Sequence, residues 1–272
     1  MSDEKDPQVD ASGSAGDAGG LEPEVEGPTG AGAIIGPFLN AILAPAQTFK
    51  ALDVKPALAW WIVAWIAVLS TILAVINLPI TQRATLAVTR AQLQASGQEL
   101  SPEQLQQAST RITTVVTVMT YLSSVQIVLL IALTALLLWV LAAIMGGKGA
   151  SFGRAFSVTA AAAVIHPFLY GIYATIILNM NPPEIRRPAD AATLAPTLGL
   201  DLLLSGPDTP LWLNVVYMRI DLFNLWWMAL IVIGSMAMLK LSKAQGIAAA
   251  VLIWGFYVLF AVGGALLQGM AG

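Results

Sequence analysis

Five strongly apolar, uncharged runs alternate with polar segments along the chain, at about 57–80, 121–145, 156–178, 222–239 and 246–267. A helix needs roughly 20 apolar residues to cross ~30 Å of hydrocarbon. The pattern therefore predicts an all-α, polytopic transmembrane bundle of five spans. Trp60, Trp61 and Trp65 crowd the start of the first run, where an interfacial aromatic belt is expected. The third run follows a glycine-rich turn bearing Lys148 and Arg154, and near its middle stands His166, the only histidine in the chain.

The segments between the runs have patterns of their own. In Ile34–Leu52, Ile35, Phe38, Leu39, Ile42, Ala46 and Phe49 recur at helical spacing. Pro37 and Pro45 suit the first turns of two short helices, so the segment reads as amphipathic and interfacial. Residues 81–111 are polar yet helix-forming, with a break at Ala95-Ser96-Gly97. Ser101-Pro102-Glu103-Gln104 then sets out a helix start: a serine cap, a proline at the first position and a glutamine three residues on. From there a helix can run unbroken to Met145, ~65 Å at 1.5 Å per residue. Spans one and two are thus expected to project beyond the bilayer as an extramembrane helical hairpin. Asn181-Pro182-Pro183 should stop span three. Asp208-Thr209-Pro210 is expected to cap a short interfacial helix, Leu211 to Ile220. A tight turn, Lys240 to Gln245, joins the last two spans.

Composition agrees with a membrane body. Hydrophobic residues make up 57% of the chain and charged residues 11%, against roughly a quarter charged in soluble domains. The charge is unevenly spread. Asp3, Glu4, Asp6, Asp10, Asp17, Glu22, Glu24 and Glu26 lie in the first 32 residues, with Lys5 as the only base there. This stretch has little to bury and is expected to be a disordered acidic tail, residues 1–32, ahead of a membrane domain at 33–272. It lacks the basic start and adjoining apolar stretch of a secretory signal. A solvated spacer is the simpler reading of it, and a docking tail for a basic partner the other.

Five spans put the termini on opposite sides. With the N-terminus cytoplasmic, Lys5, Lys50, Lys55, Lys148, Arg154, Lys240 and Lys243 lie inside, and Arg83, Arg90, Arg111, Arg186, Arg187 and Arg219 outside. The numbers nearly balance. The inside bases, however, sit in short turns and close flanks, where the positive-inside rule has most force. The expectation is N-in, C-out.

His166 falls mid-span, where an ionisable group is a functional candidate. The competing reading is structural: Pro167 has no amide to donate, so the carbonyl of Ala163 loses its helical partner, a kink follows, and the histidine bonds a neighbouring helix. The structural reading is favoured. Asn77, Ser123, Ser124, Gln126, Asn179, Asp221 and Asn224 gather toward the outer half. They either line an outward cavity or, the preferred reading, bond across helices. Gly234, Gly255, Gly263 and Gly264 suit close helix packing.

Without cysteine, disulfides and thiolate-ligated metals are excluded. No histidine–glutamate zinc motif, G-x-S-x-G elbow or Walker loop is present. Gly146-Gly147-Lys148-Gly149 has no strand before it and reads as a reverse turn. Glu184, Asp190, Asp201 and Asp208 could meet around a cation only if the loop gathers them, and scattered loop acids are more often solvated. No dense basic face supports nucleic-acid binding. No cofactor is implied.

Three stretches together resemble the Yip1 domain family, in its bacterial branch. They are Pro45-x-x-Thr48-Phe49 before span one; Gly146-Gly147-x-Gly149-x-Ser151-Phe152 before span three, with Pro167 inside it; and Asp221-x-Phe223-x-x-Trp226 opening span four, with Gly234 later. The resemblance covers roughly Pro37 to Gln268 and rests on the order and spacing of the motifs. It implies five spans, a cytoplasmic N-terminus and an outward C-terminus, in a bacterial cytoplasmic (inner) membrane. Eukaryotic members act in early secretory trafficking with Rab-type GTPases. Their acidic-aromatic signature is absent here, so Rab binding is not carried over. The expected function is a non-enzymatic scaffold or adaptor that organises protein partners or copies of itself in the bilayer. The alternative is a small-solute or ion transporter, channel or transporter subunit using His166 and the outer polar groups.

Overall fold

The structure, a computed structural model, describes residues 31–95, 97, 101–182, 184, 196–206 and 208–270. The expected acidic tail lies outside the described residues up to position 30, and residues 31 and 32 already belong to the first helix. The helices are α1 (Ala31–Leu43), α2 (Pro45–Val54), α3 (Leu58–Ala95), α4 (Pro102–Ile144), α5 (Phe152–Ala163), a π-helical turn (Ile165–Tyr170), α6 (Gly171–Met180), α7 (Asp201–Leu204), α8 (Leu211–Arg219), α9 (Leu222–Met238) and α10 (Lys243–Met270). Among the described residues the only β-type pairing is a single antiparallel bridge between Gly199 and Asp221.

Side-chain pairs set the direction of each helix. Asn77 bonds Thr175, and Leu73 lies against Gly171, so α3 and α6 run parallel. Gln82 bonds Thr117 across the α3–α4 hairpin. Val158 meets Gly234 and His166 meets Asn224, which makes α5 and α9 antiparallel. Thr134 bonds Tyr257 and Gln245 bonds the Met145 carbonyl, so α4 and α10 are antiparallel as well. The long helices therefore alternate in direction along the chain. Among the described residues, four helical stretches are long and apolar enough to cross a membrane: Leu58–Gln94, Gln106–Ile144, Phe152–Met180 and Lys243–Leu267. The fifth expected span, α9, has 17 residues and a rise of about 25 Å.

The hairpin follows the sequence closely. Ser101 and Gln104 form a reciprocal capping box: the serine hydroxyl accepts from the Gln104 amide and the glutamine oxygen from the Ser101 amide. α4 then continues for 43 residues without a break. Along both polar arms the threonines donate to the carbonyl four residues back, as Thr81, Thr85, Thr89, Thr110 and Thr114 do. Those hydroxyls are satisfied within their own helix, and the small Ala84 and Ala91 are buried in the hairpin.

At the opposite end two turns lock together. Gly146 has a positive φ of 75°, and the Gly149 amide donates to the Leu239 carbonyl. A Cβ on Gly149 would stand 2.3 Å from the Met238 carbonyl oxygen, and one on Gly147 2.8 Å from that of Leu239. Only glycine lets these backbones meet. Lys240, also at positive φ (57°), ends α9, and its ammonium donates to the Ala237 carbonyl. Arg154 pairs with Asp53 at 3.1 Å beside these turns.

Four local expectations are corrected. α1 already begins at Ala31, which leaves Pro37 inside a helix that forgoes one backbone bond rather than at a new helix start. Pro45 does open α2, as expected. α2 does not lie free on a surface: Thr48, Phe49 and Leu52 are buried, because a neighbouring glycine on α9 lets the Phe49 ring in. α8 forms as expected, but Pro210 occupies the cap position and no side chain caps the helix. The Thr209 hydroxyl accepts from the Gly206 amide instead. Finally, Gly255, Gly263 and Gly264 face open space, so of the four span glycines only Gly234 serves close packing.

Candidate functional site

Pro167 sets up the site. It has no amide to donate, and the chain answers by widening the helix into a π turn over Ile165–Tyr170 rather than by a simple kink. The Phe168 amide reaches the Val164 carbonyl, and the Gly171 amide reaches that of His166. The extra residue in this turn carries the imidazole toward α9.

There His166 Nε2 lies 3.2 Å from Asn224 Oδ1. Asp221 fixes that asparagine. One carboxylate oxygen accepts the Asn224 backbone amide at 2.7 Å, capping α9, and the other accepts the Asn224 side-chain amide at 2.6 Å. A carboxylate only accepts, so the asparagine must turn its NH₂ to Asp221 and its carbonyl to the histidine. The Nε2 therefore carries the proton, and Nδ1 is left without a protein partner among the described residues. Asp221 is itself held by the bridge to Gly199. The Trp227 ring stands edge-on to the imidazole, with centroids 6.3 Å apart. Phe223 packs on Tyr170 and Tyr173.

His166 borders a partly open cavity of about 520 Å³ lined by α3, α4, the α5–α6 unit, α8, α9 and α10. Its walls are mainly apolar: Leu73, Ile127, Leu130, Ile131, Trp227 and Val258 are typical. The polar groups on it are Ser70, Ser123, Thr134, Thr159, His166, Tyr170, Arg219, Asn224 and Tyr257. Several are spoken for. Thr134 donates to the Leu130 carbonyl, so the Tyr257 hydroxyl is the donor in their mutual bond. Thr159 has carbonyl partners on its own helix. The Ser70 hydroxyl is buried without a partner.

Of the outer polar residues, Ser123 and Asn224 border this cavity and Asn77, Gln126, Asn179 and Asp221 do not. Asn77 donates to Thr175, and Asn179 donates to Asn77 and to the Thr175 carbonyl, which ties α3 to α6. Ser123 and Ser124 bond back to their own helix, and Gln126 is exposed. Pro167 lines the cavity beside His166. Trp226 points outward at 40% exposure, and it is the next residue, Trp227, that faces the histidine. Phe152 is also exposed, edge-on to Trp139.

Sequence reasoning missed Ser70, Thr134, Tyr170, Arg219, Trp227, Trp254 and Tyr257 as neighbours of one space. They come from α3, α4, the π turn, α8, α9 and α10, and no spacing in the chain announces their convergence. No group of three or more acids and histidines able to hold a metal occurs among the described residues. Asp190 of the loop acids lies outside the described residues. Asp201 accepts from the Thr197 hydroxyl. The imidazole Nε2 is bonded to an amide, not to a serine or threonine hydroxyl, so the cavity presents no nucleophile–base pair.

The family model of the Yip1 domain matches residues 39–265. No curated protein and no solved structure matches the chain.

Proposed function

The chain belongs to the Yip1 domain family, a multi-pass membrane family not known for enzymes, and from that premise we propose that it is a scaffold or adaptor holding protein partners through the α3–α4 arm. The observation that carries this reading is the arm's length. Helices of 38 and 43 residues rise about 57 and 65 Å, twice the ~30 Å of hydrocarbon. The excess is helical and polar, its second helix is capped, and it exposes Arg83, Arg90 and Arg111 against Glu103 among the described residues, with Glu99 the other acid of the stretch. An inert loop between two spans needs none of this order. A basic, pre-formed two-helix surface suits an acidic protein partner.

The membrane body supplies the anchor. We take α9 as a fifth crossing, since the alternation of helix directions supports it and flanking residues can absorb a mismatch of a few Å. The N-terminus is then cytoplasmic and the C-terminus outside, in a bacterial inner membrane, with residues 33–272 acting as one domain. Asp221, Asn224 and His166 serve to join α9 to the π turn. The family-motif residues Pro45, Thr48, Phe49, Gly146, Gly147, Gly149, Phe152, Phe223, Trp226 and Gly234 mostly shape helix packing.

A second reading, solute transport, is favoured by the cavity beside His166. It is weaker, because the histidine is already bonded through Asn224 to Asp221 and the walls are mainly apolar. Purification in a mild detergent separates the two. A stoichiometric protein partner is expected for the scaffold, whereas a lone chain that carries pH-dependent solute flux in vesicles would favour transport.

A further inference from the structure

We propose that the cavity beside the π turn is a binding site for an anionic phospholipid, with the phosphate at Arg219 and one acyl chain among the apolar walls. Its volume of about 520 Å³ lies within the ~300–1,000 Å³ of small-molecule pockets. That is room for one chain, not for a whole diacyl lipid, whose second chain stays in the bilayer.

The chemistry of the wall is divided. Leu73, Ile127 and Ile131 offer only hydrocarbon, while Tyr170, Arg219 and Asn224 supply polar groups. Among the described residues the Arg219 guanidinium pairs with no carboxylate. Its backbone is nevertheless fixed, since its carbonyl accepts the Trp254 indole N–H at 3.2 Å. The planar donor fork of arginine suits phosphate oxygens. The Tyr170 hydroxyl, also on the wall, has no protein partner among the described residues and is a second donor. A positively charged headgroup finds no answering acid on the wall, since no Asp or Glu is among the cavity's lining residues.

A chain that leaves the bilayer for an apolar cavity gains no hydrophobic free energy, as both environments are hydrocarbon. Affinity and selectivity must then come from the headgroup. This predicts a preference set by charge rather than by chain length, and it makes Arg219 the discriminating residue.

The test is native mass spectrometry of the full chain in detergent, titrated with phosphatidylglycerol, with phosphatidylcholine of the same chains, and with inorganic phosphate. We expect one phosphatidylglycerol per chain, bound about tenfold more tightly than phosphatidylcholine, as one charge-assisted contact implies. Arg219→Gln should abolish that preference. This variant keeps the backbone carbonyl that Trp254 uses, so it should melt like the wild type without added lipid. Ala163→Leu, which narrows the cavity, should displace the lipid with Arg219 intact, and Tyr170→Phe should weaken it severalfold. Equal binding of the two lipids overturns the proposal, as does an unchanged preference in Arg219→Gln. Competition by inorganic phosphate at the lipid's own concentration also overturns it, since a free-anion site would not need the chain.

Discussion

The Phe49 ring occupies the place where a side chain on Gly234 would be: a Cβ there would stand 2.8 Å from two ring carbons and 2.6 Å from the Val158 side chain. Two residues 185 positions apart thus clamp α2 to α9 and α5. Phe49 is 1% exposed, so Phe49→Ala should cost ~3–5 kcal/mol through lost packing. Gly234→Leu should cost at least ~1–3 kcal/mol through overpacking. Because the defects are opposite in sign, Gly234→Leu combined with Phe49→Ala should be milder than the sum of the two single changes. Melting temperatures of the four proteins in one detergent check this, and strict additivity would show that the residues do not share one space.

That clamp shows what the sequence could and could not say. Phe49 and Gly234 each stand out in the chain, but nothing in their spacing says that they touch. The capping box at Ser101 and the unbroken run of α4 were legible, because both are local: cap, proline and period lie within a few residues. The π turn was half legible. Pro167 forecasts a defect in hydrogen bonding, but whether a helix kinks or widens depends on what its neighbours offer, here Asn224 on α9. Gly255, Gly263 and Gly264 resemble packing glycines in sequence yet face open space, since small size permits close approach without supplying a partner helix. The cavity was barely legible: of the outer polar residues weighed for one, only Ser123 and Asn224 border it, beside His166.

Helix fraying tests the arm. Ser101→Ala removes one half of the capping box and should cost ~0.5–2 kcal/mol locally. Hydrogen exchange should accelerate at amides 103–106 and remain unchanged in α9. Faster exchange throughout the protein would mean that the arm is not an independent projection but part of the membrane core.

His166 separates structure from proton chemistry. Glutamine keeps a donor for the Asn224 carbonyl, so His166→Gln should fold with little loss. Alanine should lose a net bond worth ~0.5–2 kcal/mol. Neither change should remove a pH-dependent activity, since the histidine's bond is structural; a proton-carrying histidine would lose that activity in both, because neither new side chain titrates near neutrality. A wild-type proton flux that disappears in a fully stable His166→Gln protein would make transport the better reading.

Topology is open to reporters fused after Gly97, Ala150, Ala192, Ala244 and Gly272. The expected sides are out, in, out, in, out. A cytoplasmic signal at Gly272 would mean either that α9 does not cross or that the whole orientation is reversed, and the Ala192 reporter tells these apart.

The scaffold reading is tested most directly by shortening the arm. Residues 86–113 are replaced by a short Gly-Ser loop, which preserves the Gln82–Thr117 bond and both membrane segments. Wild type, the shortened chain and His166→Gln are then purified from native membranes in the same mild detergent, with partner stoichiometry read by quantitative mass spectrometry. The scaffold account predicts a defined protein partner with wild type and with His166→Gln, lost from a shortened chain that is still monodisperse. The same partner at the same stoichiometry on the shortened chain would contradict it, as would a partner-free wild type whose solute flux depends on His166.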